Sequence, residues 1–278
     1  MPTHANFRPV YTLVLFAALA VLLPFAISRA ASGSRSIDTR ALGTGAYPER
    51  RSNSNLPAPP DQNDWALLEK YRDANRALAT PASGENRVVF MGDSITEGWG
   101  IKAAPPAPDR GDFFPGKPYI NRGISGQTTP QMLVRFRQDV IDLKPKVVVI
   151  LAGINDIAGN TGPETQDQIA GYLTSMAELA RANGIRVVLC SVLPAIDFPW
   201  HRGLEPAPKV RALNAWMKDY AAKNRFVYVD YYDSMATPDG GLKPDLGSDG
   251  VHPVKAGYDI MAPLAEAGIE QALRNPLP

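Results

Sequence analysis

The 278-residue chain has one cysteine, three histidines and a net charge of only +1. One cysteine excludes an intrachain disulfide. Cys190 also sits in the apolar run Val187-Val188-Leu189, the setting of a buried strand residue rather than of a nucleophile or metal ligand. Balanced charge leaves no electrostatic footprint for nucleic acid or for an acidic membrane surface. There is no Gly-x-Gly-x-x-Gly and no Walker lysine after Gly98, so the loops that cradle nucleotide phosphates are missing. No segment repeats internally.

Residues 1–30 have the layout of a signal peptide: Arg8 and the amino terminus, an apolar run from Val10 to Ile27, then Ser28-Arg29-Ala30-Ala31-Ser32, with cleavage expected after Ala30. The alternative is an uncleaved anchor, since the run is nearly long enough to span a bilayer and only Pro24 interrupts it. No cysteine stands near the cleavage region, so a lipid anchor is not indicated. Export to the periplasm or the medium, with no stable membrane insertion after cleavage, is the expectation. Residues 31–62 are rich in Ser, Arg, Gly, Asn and Pro without an apolar period and read as a flexible tether. Residues 63–278 suit one α/β domain.

In that domain Asp64 is placed to cap a helix running to about Leu78, with Trp65, Leu68, Tyr71 and Leu78 on one side. Strands are expected at 87–91, 119–121, 147–151, 185–192 and 226–229. The run Val147-Val148-Val149-Ile150-Leu151 is apolar on both faces, as a central parallel strand must be. Helical stripes fall between the strands. Met132, Leu133, Phe136, Val140 and Leu143 follow a Thr129-Pro130 start. Ile169, Tyr172, Leu173, Met176 and Leu179 precede an Asn183-Gly184 stop. Val210, Leu213, Met217 and Tyr220 mark a third stripe, and a last helix follows Pro253 to about Leu273. Five alternations predict a flavodoxin-like three-layer α/β/α sandwich with a five-stranded parallel sheet. Ligands of such sheets bind at the carboxyl ends of the strands.

Those ends carry Ser94, Gly126 and Asn155, each in a glycine-containing polar turn. A fourth polar piece, Ser248-Asp249-Gly250-Val251-His252-Pro253, precedes the last helix. Three residues separate Asp249 from His252, so the carboxylate can reach Nδ1 locally and leave Nε2 to take a serine proton. A serine hydroxyl needs such a base to become a nucleophile. Acyl transfer needs donors for the oxyanion as well, and the N–H groups of Ser94 and Gly126 with the Asn155 amide are suited to it.

With these residues the chain resembles the GDSL/SGNH hydrolase superfamily. Its blocks stand here as Gly92-Asp93-Ser94-Ile95, Asn121-Arg122-Gly123-Ile124-Ser125-Gly126, Gly153-Ile154-Asn155-Asp156 and Asp249-Gly250-Val251-His252-Pro253. The bacterial secreted branch similar to platelet-activating-factor-acetylhydrolase-like esterases is the nearest type. The resemblance implies Ser94 as nucleophile, His252 as base, Asp249 as its orienter, and Ser94, Gly126 and Asn155 as the oxyanion hole. It implies hydrolysis of lipid, acetylated-sugar or small acyl esters without cofactor or metal. Ile95 replaces the usual leucine, an apolar exchange.

Each piece also has a plainer role. Gly153-Ile154-Asn155-Asp156 can close a strand as an Asx-turn, Asp249 can cap the last helix, and Gly123 and Gly126 can serve turn geometry alone. Choosing Gly126 over Gly123 rests on the resemblance. Phe113, Phe114, Phe198, Trp200 and His201 lie on loops expected at the active edge, either lining a substrate cleft or packing the loops. An α/β-hydrolase elbow would need Gly-x-Ser-x-Gly, and Thr96 holds the last position. Asp93, Asp156, Asp249 and His252 would be the ligands of a metal-dependent phosphoesterase, whose spacing nothing demands. A carbohydrate-binding module that retains the fold is the non-enzymatic alternative.

Overall fold

A computed structural model describes residues 64–102 and 106–276. The expected signal peptide and tether lie outside the described residues.

Five parallel strands form one sheet: β1 (Val88–Gly92), β2 (Tyr119–Gly123), β3 (Val147–Leu151), β4 (Arg186–Cys190) and β5 (Val227–Val229). Their order is β2-β1-β3-β4-β5. β1 and β3 are buried along their whole length, as their continuous apolar sequence requires of central strands. The chain leaves β1 toward β2 on one side and continues through β3 on the other. The switch point of the sheet therefore lies between the carboxyl ends of β1 and β3, where a crevice opens.

Helices α1 (Arg72–Ala77), α2 (Ser94–Gly98), α3 (Thr129–Asp139), α4 (Ile154–Ile157), α5 (Gln166–Ala182), α6 (Pro206–Asn224), α7 (Tyr232–Met235) and α8 (Lys255–Arg274) complete the domain. Right-handed crossovers put α3, α5 and α6 side by side on one face. α8 crosses β3, β4 and β5 on the other face, and its Tyr258 hydroxyl donates to the Ile95 carbonyl of α2.

Three expectations change. The helix foreseen from Asp64 to Leu78 is a series of turns followed by the six residues of α1. Asp64 does cap the Leu68 and Glu69 N–H groups. The carbonyls of Trp65, Ala66 and Leu68, however, accept from the side-chain amides of Gln131, Gln127 and Gln138, at 2.7–2.8 Å. Leu67 takes a positive φ of 55°, which interrupts the helix, and the carbonyls around it bond to these distant amides instead. Strand β4 stops at Cys190 because the Asn214 side chain takes both backbone groups of Val192. Thr128, not Thr129, caps α3, and its N–H donates to Gln131. Thr129 is thereby freed to bind Asp156 through both its N–H and its hydroxyl.

Candidate active site

At the end of β1 the Asp93 carboxylate accepts the Ile95 N–H at 2.9 Å and so starts α2. Ser94 becomes the first helical residue, half-buried, with an N–H of the kind a helix leaves without an internal partner. Gly92 lets this turn sit against β3, because a Cβ there would meet the Thr96 hydroxyl and the Leu151 carbonyl.

The Ser94 hydroxyl oxygen lies 2.9 Å from His252 Nε2, and His252 Nδ1 lies 2.7 Å from Asp249 Oδ2. The other Asp249 oxygen accepts the Val251 and His252 N–H groups, at 3.0 and 2.8 Å. Partial burial pushes the Asp249 pKa up, but the His252 backbone N–H, its ring and the Val251 N–H outweigh it and hold the carboxyl below its ordinary value. Asp249 therefore stays ionised and fixes the imidazole with a proton on Nδ1, leaving a lone pair on Nε2 facing the serine.

Ser94 and His252 open into a cleft of about 300 Å³, lined also by Ser125, Gly126, Asn155, Asn160 and Trp200. The three expected oxyanion donors thus share one cavity. The two candidate glycines separate here. A Cβ on Gly123 would run into the backbone of Glu97 and Asp93, so that glycine serves the packing of β2 on α2. Gly126 instead faces the cleft with φ +76°, a left-handed turn that favours glycine. Its neighbour Ser125 is held by Glu97, whose carboxylate accepts from the Ser125 N–H and hydroxyl.

The loop aromatics divide. Trp200 walls the cleft, half exposed, with its ring 5.9 Å from that of His252 and stacked on Phe198 at 5.2 Å. Phe198 itself is fully buried beneath it. Phe113 and Phe114 pack with Phe90 at 5.2 and 5.1 Å and with Trp99, so the proline-rich loop spends both rings on the core rather than on the cleft. His201 turns away: its Nδ1 meets the Ala158 carbonyl at 2.8 Å, and its ring lines a neighbouring cavity with Asp156, Glu164 and Lys209.

The other carboxylates have separate duties. Burial raises the Asp93 pKa to about 6, opposed chiefly by the Ile95 N–H and also by the charge of Arg135. Its second oxygen has no hydrogen-bond partner. Burial also raises Asp156, reinforced by the charge of Glu164 and opposed by Thr129.

Three supporting residues escape a reading of sequence patterns. Arg135, wholly buried, donates to Gln127, to Asp139 and to the Gly92 carbonyl at the end of β1. Gln127 joins it to the turn beside Gly126. Asn160 borders the cleft itself; its only trace in the sequence is a polar turn between Gly159 and Gly162.

The profile of the GDSL-like lipase/acylhydrolase family matches residues 90–260, from within β1 through the residues of the cleft to the first turns of α8. The chain belongs to this family, whose class is that of carboxylic ester hydrolases. Among solved structures, a GDSL-like lipase of Bacteroides thetaiotaomicron is 50% identical, with a TM-score of 0.69 over 74% of this chain and 98% of that one. An acetylxylan esterase of Geobacillus stearothermophilus is 28% identical over 216 residues, 68% of this chain and 96% of its own. The lipoprotein YqeF of Bacillus subtilis is 33% identical over 128 residues, 41% of this chain and about half (51%) of that protein. Among the described residues no helix is long and apolar enough to cross a membrane.

Proposed function

We propose that the protein is a serine esterase that removes short acyl groups, acetyl above all, from carbohydrate esters. Ser94 attacks the ester carbonyl while His252 takes its proton, with Asp249 holding the ring and stabilising the imidazolium. The N–H groups of Ser94 and Gly126 and the Asn155 amide receive the oxyanion of the tetrahedral intermediate. The imidazolium returns its proton to the leaving alcohol. Water, activated by the same His252, then releases the acid from the acyl-enzyme.

One observation carries this reading: the continuous Ser94–His252–Asp249 chain of hydrogen bonds at the switch point of the sheet, opening into a cleft that also holds Gly126 and Asn155. A cleft of about 300 Å³ walled by a half-exposed tryptophan suits an acetyl group on a sugar better than an extended acyl chain. The acetylxylan esterase relative supports the same substrate class. The N-terminal apolar run ending in small residues supports export, where such esters are met.

A panel of acetylated xylo-oligosaccharides, p-nitrophenyl acetate and a lysophospholipid tests it, run with the mature protein and with Ser94→Ala. Deacetylation of the sugars, lost in Ser94→Ala, is expected. Turnover of the lysophospholipid alone would reassign the enzyme as a lysophospholipase. No turnover of any ester would leave a binding module.

A further inference from the structure

The serine-esterase reading requires Asn155 to present an N–H, not its carbonyl oxygen, to the cleft. An amide side chain has both at one end, and only its partners decide which faces where. The partners here leave no choice. The Trp200 indole Nε1 can only donate, and it lies 3.2 Å from Asn160 Oδ1. Asn160 Nδ2 therefore points the other way, where it donates to the Gly126 carbonyl at 3.1 Å and to Asn155 Oδ1 at 2.9 Å. With its oxygen so engaged, Asn155 turns its Nδ2 toward the Gln127 carbonyl at 3.0 Å, and the second N–H of that nitrogen remains for the cleft. Both ends of the relay are anchored on groups that cannot exchange roles, an indole N–H and backbone carbonyls. Reversing either amide would set donor against donor and acceptor against acceptor.

We propose that Asn160 is a positioning residue of the oxyanion hole: it fixes the Asn155 amide in its donating orientation, clamps the Gly126 turn beside it, and ties both to the Trp200 wall of the cleft. Its own two N–H groups are occupied, so it acts through Asn155 and Gly126 rather than on substrate. Asn160 is exposed and stands on a turn outside the core, so its loss leaves the fold intact. The inference rests on the esterase reading above.

Hydrolysis of p-nitrophenyl acetate, with acylation limiting, tests it in Asn160→Ala, Asn160→Asp, Asn155→Ala, the Asn155→Ala/Asn160→Ala double variant and Ser94→Ala. Asn160→Ala is expected to lower kcat about tenfold with KM within about twofold, less than the loss of a donor itself. Asn160→Asp keeps the size and the acceptor for Trp200 but offers no N–H, and loses at least as much. In the Asn155→Ala background, Asn160→Ala should cost no more than about threefold, because the amide it orients is gone. A wild-type kcat in both single Asn160 variants overturns the proposal, and so does an equal loss in the two backgrounds. Activity in Ser94→Ala would instead sink the esterase reading beneath it, so the two failures are distinct.

Discussion

The two halves of the candidate site are built in opposite ways. Asp249 and His252 are organised within four residues: one carboxylate accepts the Val251 and His252 N–H groups and the His252 ring in a single turn. Ser94, Gly126 and Asn155 lie on three separate segments and are held from behind by side chains remote in sequence. Arg135 grips the Gly92 carbonyl 43 residues away, Gln127 reaches the Ala66 carbonyl 61 residues away, and Thr129 binds Asp156 across 27 residues. The base half is a local motif, whereas the nucleophile half depends on the tertiary structure. Substitutions in the first should change chemistry and spare stability, and substitutions of the buried remote supports Arg135, Gln127 and Thr129 should change stability first.

The sharpest break in that comparison is expected at its junction. Ser94→Ala and His252→Ala should each lower kcat by about 10⁴-fold or more, as the loss of a nucleophile or its base does, with the melting temperature nearly unchanged. His201→Ala, facing the neighbouring cavity, should keep the wild-type kcat; a dead His201→Ala beside an active His252→Ala would reverse the assignment of the base. Asp249→Asn should fall short of His252→Ala, because it disturbs the tautomer without removing the base. Steady-state kinetics on one soluble acetate ester compares all four.

Asn155→Ala is expected to reduce kcat by roughly 10²–10³ at nearly constant KM, the cost of one oxyanion donor. An unchanged kcat, with chemistry limiting, would return Asn155 to the role of a turn residue.

Behind the nucleophile, Arg135→Met should cost about 3–5 kcal/mol in urea unfolding, since Asp139 is left charged and buried. Arg135→Met/Asp139→Leu should recover most of that. If the single substitution is neutral, the buried network is not what holds the end of β1.

The smallest effect concerns pH. Burial places the folded pKa of Asp93 at about 6, above its ordinary value of 3.8. The folded state therefore keeps a proton that the unfolded chain has released, and stability falls as pH rises from about 4 to about 6. Asp93→Asn keeps the cap acceptor but removes the titration, so the melting temperature of the variant should fall less than that of wild type across that window. Parallel profiles would mean that Asp93 is already ionised in the fold.

The same contrast explains what the sequence discloses. The order of strands and helices is legible because burial writes itself into apolar periodicity, as in Val147–Leu151. Asp249 and His252 are legible because three residues of spacing already fix their geometry. Arg135, on an apolar stripe, and Gln127, in the turn before it, are not, since a polar side chain does not say which distant carbonyl it will meet. The segment from Asp64 to Leu78 misleads for the same reason: its capping residue and spacing are those of a helix, but Gln127, in the turn before α3, and Gln131 and Gln138 on α3 bind its carbonyls. Phe113 and Phe114 sit in a loop by sequence and in the core by contact, because a proline-rich segment can fold back over an aromatic patch without any periodic signature.

The hydrogen bond between Ser94 and His252 joins residues 158 positions apart. At 5–20 residues per second, a ribosome adds the histidine on the order of ten seconds or more after the serine. Throughout that interval, and until α8 and the turn before it have docked, the serine is an ordinary alcohol. In the proposed mechanism the nucleophile is therefore inert until the distant segment that carries its base has been made and has docked beside it.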